Sequence, residues 1–155
     1  MTRYEIESFL NDWGDGIVAI GTFNNQQDKQ KKIAKNFIEK FYGYNDFPVL
    51  FAPTKASEKQ FRNTFEGALS YFIGNNPYFG EDHGFARTPW KNVRFEFSGI
   101  NIINDLGIVM GNYFFTDMKN YEVKVEFSFV IKKDNRNNLK IILHHSAFPY
   151  SGYDA

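Results

Sequence analysis

Apolar residues in the first forty positions recur every three or four residues, which is the period of an amphipathic helix. One such stripe predicts a helix through about residue 22, although Gly14 and Gly16 interrupt it; its members are Ile6, Phe9, Leu10, Trp13, Ile17 and Ile20. A second stripe follows the polar stretch NNQQD and predicts a helix capped by Asp28 and ended by Gly43; it contains Ile33, Ala34, Phe37, Ile38 and Phe41.

The middle of the chain has shorter signals. The apolar run FPVLFAPT, residues 47–54, is bounded by prolines and predicts a strand that leads into a loop. The segment EGALSYFIGNN predicts a short helix that ends at Gly74, and an irregular stretch rich in Gly, Pro and aromatic residues then continues through Trp90.

From Val93 onward the period of apolar residues changes to two, which is typical of strands with one buried face. Four consecutive strands are predicted, joined by the turn-forming segments NIINDLG, DMKN and DNRNN. Helices followed by an antiparallel meander indicate an α+β fold, in which the apolar face of the sheet packs against the helices.

Composition narrows the functional classes. The 155 residues suit a single domain that spans residues 1–155. Eighteen basic and eighteen acidic side chains cancel, and no long run of one sign occurs, so neither a nucleic acid nor a membrane surface is an expected partner. The first residues lack a basic segment followed by an apolar run, so a signal peptide is not expected and the predicted location is cytoplasmic.

The sequence has no cysteine, so a zinc site would require histidine and carboxylate ligands. Two of the three histidines, His144 and His145, are adjacent on a predicted strand and therefore point to opposite faces. The third, His83, is in a loop, so a three-histidine zinc centre is disfavoured and no metal or other cofactor is expected.

Strand alternation places His144 and Ser146 on the same face. The simplest interpretation is a histidine at the end of a half-buried strand, with its nitrogens bonded to backbone or water. Nucleophilic Ser/His catalysis is a weak alternative, because no nucleophile elbow is present and an i, i+2 pair does not by itself bring the two groups together.

Four segments in this order resemble the small bacterial relatives of the calmodulin-dependent kinase association domain, and more narrowly the iota-class carbonic anhydrases: PVLFAPTKASEKQFRNTFEGALSYFIG, GNYFFTD, VKVEFSFV and LHHSAFPY. The resemblance extends from WGDGIVAIG through FPY. It implies a cone-shaped fold of the nuclear-transport-factor type, with N-terminal helices packed on a strongly curved antiparallel sheet, and assembly as a homodimer.

The resemblance also implies a site that hydrates carbon dioxide to bicarbonate without a metal. Matched by motif, its catalytic residues are Thr54, Tyr71 and Ser146, with His144 beside them. The apolar walls of the pocket would be the substrate-binding residues Phe51 and Phe115, although phenylalanines are more often core or interface residues. The family more often has HHSS where this chain has HHSA, so Ala147 replaces a serine. Strand alternation directs the side chain of residue 147 away from that of Ser146.

Three hydroxyl groups can orient a water molecule and donate to the oxygen that becomes negative, and His144 can accept or relay the proton. Two other functions remain open at this point. One is a small-ligand-binding oligomerisation module of the kinase association-domain type. The other is an isomerase or hydrolase of the same fold, for which a buried carboxylate base would be expected.

Overall fold

The computed structural model describes residues 1–152. Its helices are α1 (Arg3–Gly21), α2 (Gln27–Phe41) and α3 (Phe65–Ile73), and its strands are β1 (Leu50–Ala52), β2 (Trp90–Ile103), β3 (Leu106–Asp117), β4 (Glu122–Lys133) and β5 (Leu139–Ala147). The α+β class, the three helices and the four-strand meander predicted from the sequence are confirmed. Within residues 1–152, no helix is long and apolar enough to cross a membrane.

Two of the predicted helix boundaries are shifted. The second helix starts at Gln27 after Gln26, so Asp28 lies in its first turn and is not its cap, and the helix ends at Phe41 before reaching Gly43. A carboxylate in the first turn still interacts favourably with the helix dipole. The end of α3 is as predicted, because Gly74 follows it with a φ of 68° that side-chain-bearing residues rarely adopt.

The two glycines inside α1 allow other elements to approach the helix closely. A Cβ atom at Gly16 would lie 2.6 Å from a ring carbon of Phe37 on α2, and one at Gly14 would lie 3.1 Å from the Cβ of Val93 on β2. The helix tolerates their low propensity because its apolar stripe is buried in the core.

The five strands form one sheet in the order β1-β5-β4-β3-β2. The meander accounts for the four antiparallel strands, but β1 joins the edge of β5 in parallel, so the sheet is not antiparallel throughout. Only Leu50–Ala52 of the predicted 47–54 strand pairs in this way. In this register Phe51 lies beside His144.

A bulge in β5 changes the phase of its side chains. Ile131 of β4 pairs with Ile141, whereas Val130 pairs with Leu143, so Ile142 is the extra residue. As a result Ile141 and His144, three positions apart, both face the buried side of the sheet.

Candidate active site

The inner face of β5 presents His144 and Ser146 to the helices. Their side chains are 3% and 5% exposed, whereas His145 is exposed on the other face. Ala147 also lies on the outer face, where it lines a shallow hollow with His145. The alternation predicted for these four residues is therefore observed.

The imidazole of His144 is held between two phenyl rings. Phe51 on β1 stacks against one face at 4.8 Å between ring centroids, and Phe129 on β4 stacks against the other at 4.2 Å. Burial in this environment, with a smaller contribution from His145, lowers the pKa of His144 to about 3. His144 is thus neutral near pH 7, which disfavours its role as the final proton acceptor.

Hydroxyl groups from three separate parts of the chain meet at Ser146. The Tyr113 hydroxyl donates to the Ser146 Oγ at 2.5 Å, and the Thr54 Oγ1 lies 2.5 Å from the same oxygen. The Tyr113 hydroxyl is also 3.1 Å from Nε2 of His144. Thr54 reaches this cluster because it follows the edge strand β1.

Tyr71 of α3 completes the set predicted from the sequence. Its hydroxyl oxygen accepts the backbone N–H of Lys55 at 3.3 Å, directly after Thr54. Burial raises the pKa of Tyr71 well above its ordinary value, and hydrogen bonding by the Lys55 N–H and the Thr54 hydroxyl only partly offsets this. The phenol is therefore protonated at neutral pH and can donate its hydrogen.

All six predicted site residues line one narrow cavity between the sheet and the helices. The space available to the centre of a water molecule is about 10 Å³, which is room for one water. The other lining residues are mostly aromatic; the full lining is Trp13, Phe51, Pro53, Thr54, Tyr71, Phe72, Phe85, Tyr113, Phe115, His144 and Ser146.

Sequence reasoning missed Tyr113, Tyr42 and Trp13 as residues of this polar centre. Tyr113 and Phe115 are two positions apart on β3, so placing Phe115 in the pocket by alternation would also have placed Tyr113 there. No local signal marks Tyr42, which follows α2 and bonds to Nδ1 of His144 at 2.9 Å. Its oxygen in turn accepts the indole N–H of Trp13 at 3.2 Å.

The family model for metal-independent carbonic anhydrases matches residues 4–148. A metal-independent carbonic anhydrase from Nostoc sp. strain PCC 7120 is 38% identical over 153 residues, which are 97% of this chain and 75% of that protein. The chain belongs to the metal-independent carbonic anhydrase family. The predicted enzyme class, a lyase, is thereby confirmed, and the reading as an assembly module alone is not needed.

Solved structures agree with this assignment. The crystal structure of a cyanobacterial iota-carbonic anhydrase complexed with bicarbonate is 36% identical and has a TM-score of 0.94, over 97% of this chain and 94% of that one. An association domain of a putative calcium/calmodulin-dependent kinase II from Xanthomonas campestris shares the fold at 19% identity and a TM-score of 0.63, over 94% of this chain and 86% of that one.

A nuclear transport factor 2-like protein from Salmonella enterica has 10% identity and a TM-score of 0.50, over 89% of this chain and 94% of that one. The predicted nuclear-transport-factor-like fold is therefore confirmed.

This carbonic anhydrase has a buried carboxylate that the sequence did not reveal, but the carboxylate is not in the pocket. Asp82 accepts two hydrogen bonds from the buried guanidinium of Arg62, at 2.7 and 2.8 Å, and a third from the Ser70 hydroxyl. A carboxylate with this many bonds is engaged structurally. The lining of the site itself contains no Asp or Glu, which disfavours the isomerase type of chemistry.

The three histidines of this carbonic anhydrase lie apart: His83 is exposed in the loop before β2, and His144 and His145 are on opposite faces of β5. Among residues 1–152, no three side chains of the types that bind metals come together as a candidate site.

Proposed function

We propose that this carbonic anhydrase hydrates carbon dioxide to bicarbonate in the narrow cavity, where the hydroxyl groups of Thr54, Tyr71 and Ser146 hold the reacting water and the product oxygens. The observation that carries this proposal is the convergence of Thr54 and Tyr113 on the Ser146 oxygen, each at 2.5 Å, inside an aromatic-lined space. These groups come from the loop after β1, from β3 and from β5, so the fold itself assembles the cluster.

Without a metal, the rate enhancement must come from orientation and charge stabilisation. Bulk water has a pKa of about 15.7, and a zinc enzyme lowers it to about 7. Hydroxyl donors held in a space of low dielectric constant stabilise the negative charge that develops on the oxygens of carbon dioxide as water attacks. Because these donors are already positioned by the fold, they need little reorganisation during the reaction.

The cluster can accept a ligand by exchanging partners. Thr54 and Ser146 now bond to each other, so each of these two oxygens has a partner. A water molecule or bicarbonate ion that enters between them replaces this internal bond with two bonds to the ligand. Binding thereby costs little desolvation of the hydroxyl groups, because they are already out of bulk water.

Phe51 and Phe115 supply the apolar part of the substrate site. Carbon dioxide has no net charge or dipole, so a wall of phenyl rings accommodates it and excludes competing water. Phe51 also stacks on His144, and Phe115 packs against Tyr113 at 4.8 Å between centroids. Each ring therefore both borders the cavity and holds a polar group of the cluster in place.

His144 stays uncharged in this scheme, and the proton released from the attacking water passes to buffer in the solvent. Its Nε2 contacts Tyr113, which is bonded to Ser146, and its Nδ1 contacts Tyr42. An imidazole with a pKa of about 3 does not hold an added proton at neutral pH, so His144 acts on the hydroxyl groups through its hydrogen bonds.

Stopped-flow measurement of carbon dioxide hydration on chelator-treated protein tests the proposal. We expect full activity after chelation and a loss of roughly 100-fold in kcat for Tyr71→Phe and for Ser146→Ala, since each removes one donor. Tyr121→Phe and Ser128→Ala make the same chemical changes outside the cavity and should be active.

Activity that disappears with chelator and returns with one ion would overturn the metal-free mechanism. An unchanged kcat in both Tyr71→Phe and Ser146→Ala would overturn the assignment of the site.

We also propose the homodimer that the family resemblance implies. It is supported by exposed apolar side chains on the outer face of the sheet, including Met110, which is 59% exposed beside the hollow that Ala147 lines. Sedimentation equilibrium should give twice the chain mass, and Met110→Glu should lower it, while Met118→Glu in the β3–β4 turn should not. A monomer at micromolar concentration would contradict the dimer.

The cytoplasmic location stays a prediction, which cell fractionation tests.

A further inference from the structure

A chain of hydrogen bonds leads from the core to the cavity. At its inner end, the indole N–H of Trp13 donates to the Tyr42 oxygen at 3.2 Å, and the Tyr42 hydroxyl lies 2.9 Å from Nδ1 of His144. Trp13 and Tyr42 are 1% and 2% exposed, so water does not compete for these bonds. Neither residue has a role in the proposed chemistry itself.

The outer half of the chain starts at the other ring nitrogen. Nε2 of His144 lies 3.1 Å from the Tyr113 hydroxyl, which is 2.5 Å from the Ser146 oxygen. Ser146 is in turn 2.5 Å from Thr54. Every link after Trp13 joins groups that can either donate or accept, so distances alone leave the direction of the chain open.

The indole of Trp13 decides the direction because it can only donate. The Tyr42 oxygen must accept from it, and in residues 1–152 the only other partner of this hydroxyl is Nδ1 of His144. If Nδ1 carried a hydrogen, the Tyr42 oxygen would face two N–H donors and its own hydrogen would be buried without an acceptor. Such an unsatisfied group costs about 1–3 kcal/mol.

We infer that Trp13 and Tyr42 are positioning residues that hold His144 in the tautomer with hydrogen on Nε2 and thereby orient every hydroxyl between His144 and the cavity. Nε2–H donates to Tyr113, Tyr113 donates to Ser146, and Ser146 donates to Thr54. The hydrogens of Thr54 and of its neighbour Tyr71 are then the donors available to a bound oxygen.

The opposite tautomer would reverse the direction of every hydrogen bond between His144 and the cavity. With hydrogen on Nδ1, Nε2 would accept from Tyr113, Ser146 would donate to Tyr113, and Thr54 would donate to Ser146. The cavity would then present lone pairs to the ligand in place of the Thr54 hydrogen, which is unsuited to an oxygen that becomes negative. The two residues in the core thus control the polarity of the site through the imidazole of His144.

The tautomer can be measured directly by long-range ¹H–¹⁵N NMR on protein labelled with ¹⁵N-histidine, because protonated and unprotonated ring nitrogens differ strongly in chemical shift. We expect Nε2 of His144 to carry the hydrogen and Nδ1 to be bare. An Nδ1–H tautomer in the wild-type protein would overturn the inference, whatever the activity of any variant.

Variants test the effect of the positioning residues on the reaction, and this part rests on the proposed function. Tyr42→Phe and Trp13→Phe should each reduce the population of the Nε2–H tautomer and lower kcat roughly tenfold with little change in KM, a smaller loss than removal of a donor that touches the substrate. Tyr44→Phe is the matched control, because Tyr44 stacks on Tyr42 at 5.9 Å but bonds to the Arg62 carbonyl.

The control should keep the wild-type tautomer and kcat. A folded Tyr42→Phe protein with unchanged tautomer and unchanged kcat would overturn the positioning role. A wild-type protein that shows the Nε2–H tautomer but does not hydrate carbon dioxide would support the assignment of the chain and overturn the proposed function instead, so the two failures are distinguishable.

Discussion

The imidazole of His144 lies parallel to the phenyl ring of Phe51, with 4.8 Å between the ring centroids and 9° between their planes. The two residues are paired neighbours on the parallel strands β1 and β5, so backbone hydrogen bonding brings the rings together. The stack buries His144 and keeps it uncharged near neutral pH. This arrangement has consequences for stability as well as for chemistry.

The free energy of unfolding should fall as the pH is lowered from 6.5 toward 3. The folded-state pKa of His144 is lowered to about 3, so in this window the unfolded chain binds a proton that the folded chain does not, and acid favours unfolding. The loss from this group is about 2 kcal/mol between pH 6.5 and 4.5. Denaturant titrations at several pH values measure it.

His144→Gln should reduce the pH dependence in that window by this amount, and His145→Gln is the control because it removes an exposed imidazole from the same strand. An identical pH dependence for wild type and His144→Gln would show that His144 does not contribute.

Phe51→Leu should raise the pKa of His144 toward its ordinary value, because one face of the imidazole would lose its phenyl cover. The same change should cost about 1–2 kcal/mol of stability, since a buried ring is replaced by a smaller side chain. NMR titration of His144 and thermal unfolding give the two quantities. Phe61→Leu alters an exposed ring near the same strand and should change neither.

Thr54→Val should lower kcat about 100-fold, since valine matches threonine in shape but has no hydroxyl to bond with Ser146 or the ligand. Thr54→Ser keeps the hydroxyl and should retain most of the activity. Steady-state hydration kinetics of the pair make the comparison, with circular dichroism to check the fold. Equal activity of the two variants would remove Thr54 from the mechanism.

The Arg62–Asp82 pair should matter for stability far more than an exposed pair of similar geometry. The side chains of Arg62 and Asp82 are 0% and 1% exposed, so Asp82→Asn leaves a buried guanidinium with only its longer contact to Glu81, at 3.9 Å, and should cost about 3 kcal/mol. Arg94 binds Glu122 at the surface, where solvent screens the pair, and Glu122→Gln should cost much less stability. Similar costs in urea unfolding would contradict this distinction.

Local periodicity predicted most of the elements. Ile6, Leu10, Trp13 and Ile17 indicated α1, and the alternation around Phe127 and Phe129 indicated β4, because these patterns depend only on which face of an element is buried. The parallel pairing of β1 with β5 was not predicted, since it joins segments about ninety residues apart and leaves no periodic trace.

Several residues of the site were likewise predictable from the sequence, whereas the contacts between distant parts of the chain were not. Resemblance to a family supplied Thr54, Tyr71 and Ser146, and strand alternation gave the direction of His144. The bond between Thr54 and Ser146, 92 positions apart, depends on the edge pairing of β1 and was beyond local patterns. Trp13 was assigned only to an apolar stripe and Tyr42 was not singled out, because a polar role for an aromatic residue is visible only when its partner is known.

The extra residue Ile142 shifts by one position the set of β5 side chains that face the cavity. With strict parity counted from the inward-facing Ile141, the odd-numbered positions would look inward, and the cavity would receive His145 and Ala147 in place of His144 and Ser146. A regular strand of the same residues, without the bulge, would keep every functional group in the polypeptide yet exchange one imidazole for the other and remove the serine from the cavity. The bulge thus decides which of the two adjacent histidines, His144 or His145, lies in the cavity.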